Sequence, residues 1–265
     1  MPRPLPPPLL LINHVSNEPA KRHLDNVQMP FSSHLDELRT RLIRSVLAIA
    51  IAFIFCFYFA DQIFFALAEP LRRLPIPDLT LIGTAVTEAF FTKMKISFFA
   101  ALIVALPVLL WQGWQFVGPG LYEHEKRYTR SFVLFGSFFF LAGAAFCYGV
   151  VLQKGLAFLL KRYQVLQIQP AIQIGDYLSM VARLVLAFGV MFQLPVLSFF
   201  LARVGLVDHR LLIHYLGYAI IGMAIISAVL TPPDLISQIL LMVPLSLLYG
   251  VSIGVAYVAR PRKTR

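Results

Sequence analysis

Nearly uncharged runs long enough to cross a bilayer constrain this chain more than any other feature. They lie at Leu42–Ala60, Ile96–Val117, Ser131–Gln153, Leu178–Ala202, Leu211–Leu230 and Leu235–Ala259. A helix rises about 1.5 Å per residue, so roughly 17–25 apolar residues cross a hydrocarbon core. In lipid every backbone polar group must be bonded within the chain, so such runs become helices. Hydrophobic residues make up 58% and charged residues 14% of the 265. Soluble domains run nearer about 45–50% and 25%, so this chain has too few polar side chains to coat a globule. The fold class expected is an all-α integral membrane protein with six transmembrane helices. Disorder, a disulfide scaffold and a soluble enzyme are excluded.

The formal charge of +10 is not spread as a nucleic-acid groove would need. Its basic residues lie in the gaps between apolar runs, where they act as topology determinants, so no nucleic-acid partner is expected. Fifteen of the 23 Lys and Arg fall on the side that holds both termini, and seven on the other. Arg183 lies within the fourth run and is counted with neither. Both termini are therefore expected in the cytoplasm. Cys56 and Cys147 sit inside apolar runs and read as small buried hydrophobes. No spacing suits a metal site, a cofactor or a catalytic cluster.

Residues 1–28 are Pro-rich and then polar, and are expected to form a disordered tail. Met29 opens a sequence that makes physical sense by itself and is the expected true start. The transmembrane domain then covers 29–259, and 260–265 form a basic cytoplasmic tail. The last two runs are joined by only Thr231-Pro232-Pro233-Asp234, a tight hairpin. Pro107, Pro195 and Pro244 fall inside runs two, four and six, which are expected to kink.

Three stretches could carry recognition. In Phe31–Leu42, Phe31, Leu35, Leu38 and Leu42 recur at helical spacing, so an interfacial helix is expected to lead into the first span. Ser33 and Asp36 have the spacing of a capping box. Glu37 is spaced for an ion pair with Arg41 one turn on, or is available to a ligand. In Trp114–Arg127, Glu123 has Lys126 and Arg127 as helical neighbours. Glu125 has no basic neighbour at helical spacing, so it is either a solvated loop carboxylate or open to a cation from elsewhere. In Thr231–Gln238, Thr231 as N-cap, Pro232 at N1 and Asp234 at N3 satisfy helix-start rules. Gln238 continues that face into the apolar run, where an amide is expected to bond across to another helix. Within the fourth run, Arg183 is expected to snorkel. Gln193 is too deep for that and is expected to line the bundle interior or a wet cavity.

Together these pieces resemble the TatC family, the signal-recognising core of the twin-arginine translocation system. The likeness rests on His34–Arg41, Glu69-Pro70-Leu71, Trp114–Gly118, Leu121–Arg127 and Leu230–Gln238, and covers about Met29 to Ala259. The resemblance implies a curved, glove-like six-helix protein of the bacterial cytoplasmic (inner) membrane. It implies TatA- and TatB-type single-span partners, self-association, and export of folded proteins using the proton-motive force. It also implies that Glu37 and Glu125 bind the twin-arginine motif of signal peptides, with Arg39, Arg41, Leu42 and Phe116 beside them. Pro70 matches a structural position in the first external loop. Thr231, Asp234 and Gln238 match a patch that docks a partner's helix. Many members carry a membrane-embedded Glu where this chain has Gln193, and an amide cannot titrate. The alternative is a secondary transporter of a small solute, which requires ionisable groups converging at a central site.

Overall fold

A computed structural model of the chain describes residues 31–74, 80–117, 128–165, 170–231 and 235–259. The expected tails at 1–28 and 260–265 lie outside these residues. Helix α1 spans Phe31–Tyr58 and α2 Ala60–Arg72. Strand β1 (Thr80–Ile82) precedes α3 (Glu88–Val117). Helix α4 (Tyr128–Phe146) runs through one π turn, Cys147–Val151, into α5 (Leu152–Val165). Strand β2 (Ala171–Gln173) leads into α6 (Ile174–Met191) and α7 (Gln193–Val204). The chain then forms α8 (His209–His214), α9 (Leu216–Leu230) and α10 (Leu235–Ala259).

Among the described residues, five helical segments are long and apolar enough to cross a membrane, from 24 to 32 residues each. Large apolar side chains point outward all round them, such as Ile54, 72% exposed, and Leu134, 70% exposed. A soluble helix would bury them, so lipid is the matching solvent. The run Leu211–Leu230 departs from expectation, because it is divided at Tyr215 and leaves α9 with only 15 residues. The cause is local. Tyr249 on α10 donates its hydroxyl to the Leu212 carbonyl at 2.9 Å, and a side chain entering the helical ladder bends it.

Of the three proline-bearing runs, the fourth is interrupted. Pro195 has no N–H to return to the carbonyl one turn back, and the chain turns at Phe192 between α6 and α7. Helices α3 and α10 continue without a break through Pro107 and Pro244. Helix α1 already includes Phe31, so Ser33 stands in its first turn and is not the cap that the sequence spacing implied.

Two further features lay outside the sequence reading. Strands β1 and β2 pair in parallel, Thr80 with Ala171 and Ile82 with Gln173, so the fold is not purely helical. Glu88 completes this junction. Its Oε2 accepts from the Thr84 N–H at 2.6 Å and its Oε1 from the Gly175 N–H at 2.9 Å. One carboxylate thus satisfies backbone donors at the starts of both α3 and α6 and holds the two helices level.

The core lies where α6 meets α3, α4 and α5, around Ile96, Cys147, Leu156, Leu178, Val181 and Phe188. Cys56 and Cys147 are both free and buried, as small hydrophobes should be. Gly143 on α4 and Gly189 on α6 let these helices approach closely. A Cβ on Gly143 would stand 2.7 Å from the Phe188 carbonyl oxygen, and one on Gly189 2.6 Å from the Phe140 ring. Pro70 sits buried in the last turn of α2. It leaves the Ala66 carbonyl without its helical donor, and the Tyr148 hydroxyl donates to that oxygen at 2.6 Å.

Candidate functional site

The first turns of α1 and the last turns of α3 lie side by side, because these two helices pack along their length. Small residues permit this: Ala52 and Cys56 on α1 meet Ala101 and Ala105 on α3. At the end of the pair carrying Glu37, polar groups replace the small ones. The Arg41 Nε donates to Glu37 Oε1 at 3.1 Å, and its Nη2 donates to the same oxygen. Its Nη1 donates to Gln115 Oε1 at 2.7 Å. Arg41 is 16% and Glu37 24% exposed in the side chain, so the cluster is sheltered yet open to a ligand. Both bonds from Arg41 reach one carboxylate oxygen, and Glu37 Oε2 makes no hydrogen bond among the described residues.

The ion pair implied by the one-turn spacing therefore forms, and Glu37 is still half open. Gln115 was missed from the sequence, where an amide beside Trp114 carries no distinguishing signal. Its position is set by an aromatic cluster. Trp114 stacks on Phe132 of α4 with centroids 4.3 Å apart and meets Phe200 of α7 edge-on at 5.5 Å. That cluster locks the last turn of α3 and aims Gln115 at Arg41. Phe116 follows directly and is partly buried. Arg39 is exposed, and Leu42, 61% exposed, faces outward with Leu35 and Leu38. The apolar stripe of α1 thus turns away from α3, and its polar stripe turns towards it. Glu125, assigned to the same site by resemblance, lies outside the described residues.

The second polar group is at the α9–α10 hairpin. Gln238 Nε2 donates to the Ala224 carbonyl at 3.0 Å, the cross-helix bond expected of an amide in an apolar run. Ser227 Oγ donates to the same carbonyl at 3.0 Å. The Thr231 hydroxyl donates backward to Ser227 O at 2.8 Å. It closes the end of α9, while the residues it would cap at the start of the next helix, 232–234, lie outside the described residues. Asp234 lies outside the described residues.

Gln193 stands at the break between α6 and α7 and is 7% exposed. Its Nε2 donates to Gly136 O on α4 at 2.8 Å, so it belongs to the bundle interior. Its Oε1 accepts no hydrogen bond among the described residues. Arg183 is exposed on α6, and its Nε donates to Ser179 O at 3.1 Å. Among the described residues the Glu37 cluster, Gln238 and Gln193 occupy three different helix interfaces, and Arg183 bonds back to its own helix. They do not converge on one central site, as a solute transporter requires.

Comparison with known proteins identifies the family. Residues 33–244 match the family described as Sec-independent protein translocase protein (TatC). A protein of that name from Campylobacter jejuni is 43% identical over 230 residues, covering 86% of this chain and 94% of its own length. One from Helicobacter pylori is 42% identical, covering 86% of this chain and 89% of its own. A crystal structure of a twin arginine translocase receptor, TatC, superposes with a TM-score of 0.79 at 38% identity. It covers 85% of this chain and 99% of that one. A second, in the detergent DDM, gives 0.78 at the same identity. The residues that make the Glu37 cluster, the close α4–α6 contact and the Gln238 bond all fall within the matched span, and the chain belongs to the TatC family of Sec-independent protein translocase proteins.

Proposed function

We propose that this chain is the core subunit of a twin-arginine translocation complex in a bacterial inner membrane. In this reading α9 is the fifth of six spans, shorter than the rest, and the local bilayer thins to meet it. Both termini face the cytoplasm, as the distribution of Lys and Arg supports. Glu37 and Glu125 take the two guanidinium groups of a signal peptide, while Arg39, Leu42 and Phe116 flank them. Partner helices of the TatA and TatB type dock at Thr231, Asp234 and Gln238. Export of folded cargo then draws on the proton-motive force.

One observation carries the reading. Arg41 bonds Glu37 through Oε1 alone, which orients the carboxylate and leaves Oε2 without a hydrogen bond among the described residues. A guanidinium that arrives with a fork of N–H groups gains a charge-assisted bond on a group already oriented, at little entropic cost. A lysine supplies a point charge without the fork. Photocrosslinking of an Arg-Arg signal peptide to the membrane-embedded chain should therefore exceed that of its Lys-Lys counterpart by about tenfold, the equivalent of one charge-assisted bond. Equal crosslinking of the two peptides overturns the assignment.

The docking patch has its own test. Gln238→Leu removes the amide, yet Ser227 still donates to Ala224 O, so the hairpin keeps that carbonyl satisfied. Copurification of single-span partners should fall several-fold while the chain itself accumulates normally. Undiminished recovery of partners counts against docking at this patch.

A further inference from the structure

We propose that the groove between α1, α3 and α6 is a binding site for one phospholipid, whose phosphodiester lies between Lys95 and Arg183. The groove measures about 1010 Å³ and is lined by Phe53 on α1, Phe98 and Phe99 on α3, and by three charged residues, Lys95, Asp176 and Arg183. Two cations face one carboxylate, so the groove is net positive within an otherwise apolar wall. Neither Lys95 nor Arg183 makes an ion pair among the described residues. Lys93, two residues away, is different, for it is held by Asp61 on α2 at 2.7 Å.

Depth decides what the two cations can meet. Helix α3 has 30 residues and is about 45 Å long, which exceeds a hydrocarbon layer of about 30 Å by several ångströms at each end. Lys95 lies about 10 Å from the start of α3, and Arg183 about 14 Å from the start of α6. The β1–β2 pairing and Glu88 hold those two starts at one level, so the cations share a depth just inside the hydrocarbon. Side chains on a helix lean towards its N-terminus, and Arg183 does so, with Nε on the Ser179 carbonyl one turn back. That bond draws its guanidinium towards the end of α6 that carries Asp176, the direction of the nearer lipid headgroups in this proposal. Asp176, nearer the surface, stands where it faces the outer part of a headgroup.

An apolar groove alone would accept any acyl chain, and two cations alone would be satisfied by water. Their combination in one concavity fits an amphiphile whose tail runs along Phe53 and Phe98 and whose phosphate bridges α3 and α6. Charge complementarity and apolar length together select a phospholipid of the leaflet at that end. The inference does not depend on how signal peptides bind, because Glu37 lies in the first turns of α1, outside the groove, whose α1 lining begins at Val46.

The test is native mass spectrometry of the purified full chain, titrated with phosphatidylglycerol and, separately, with diacylglycerol, which lacks the phosphate. The native chain should keep one phosphatidylglycerol after activation and release diacylglycerol. Lys95→Gln with Arg183→Gln should lower that retention at least about tenfold, as loss of charge-assisted bonds implies. Lys154→Gln, an exposed cation on α5, should leave it unchanged. Should the double variant fail to accumulate, Arg183→Gln alone against Arg183→Lys carries the comparison, the lysine retaining most of the binding. Equal retention by the native chain and the charge-removed variants overturns the site, as does equal retention of diacylglycerol. If Arg183→Gln spares lipid and instead reduces copurification of a partner, the groove holds an acidic partner helix and the proposal fails.

Discussion

Replacing Glu37 and Glu125 together by alanine is expected to abolish crosslinking of an Arg-Arg signal peptide while the folded protein stays in the membrane. The structural cost at Glu37 is small. Arg41 keeps Gln115 as a partner at 2.7 Å, and a one-turn ion pair contributes only about 0.2–0.5 kcal/mol. The binding cost is large, since each charge-assisted bond to a guanidinium is worth about 1.5–3 kcal/mol. Two such losses lower affinity by more than about a hundredfold, and Glu37→Ala alone by about tenfold. Membrane content and helicity of the variant, measured beside the crosslink, separate lost recognition from lost folding. A double variant that crosslinks as well as the native chain refutes the role of both acids.

The second large effect concerns the contact that brings α4 against α6. Gly143→Ala places a methyl group 2.7 Å from a backbone oxygen, that of Phe188, and 2.7 Å from Phe192 Cγ. Backbone cannot swing aside as a flexible side chain can, so the two helices must separate. Gly189→Ala meets the fully buried Phe140 ring at 2.6 Å, with similar consequence. Overpacking of this kind typically costs about 1–3 kcal/mol, and here it also disturbs Gln193, which binds Gly136 on the same helix. The thermal midpoint of each variant in detergent should fall by several degrees. Gly222→Ala, with nothing within 4 Å of the added atom, should leave the midpoint unchanged or raise it slightly. If Gly143→Ala is as neutral as Gly222→Ala, the close α4–α6 contact does not limit stability.

Much of the membrane architecture was legible from residue order alone. Apolar runs of a given length have one physical outcome in lipid, so the long helices appear where they were expected. The Glu37–Arg41 pair and the cross-helix bond of Gln238 follow from local rules of spacing, and both form. Helix ends and bends were less legible. The division at Tyr215 depends on a hydroxyl from Tyr249, 34 positions away, and the capping expected of Ser33 is displaced by a helix that begins earlier. The paired strands β1 and β2 are only three residues each, too short to show a two-residue alternation.

By itself, the sequence determined the solvent, the helical class and the one-turn spacing that pairs Glu37 with Arg41. These depend on local composition and on the fixed rise and turn of a helix. Only the tertiary structure decided which neighbours complete each group. It gave Arg41 its second partner in Gln115, set Gln193 against Gly136, and brought Lys95 and Arg183 to one shared groove. Such pairings join residues 57 to 88 positions apart, and no periodicity within a helix encodes them. They arise from how closely two helices pack, and glycine, alanine and proline control that distance without carrying any chemistry of their own.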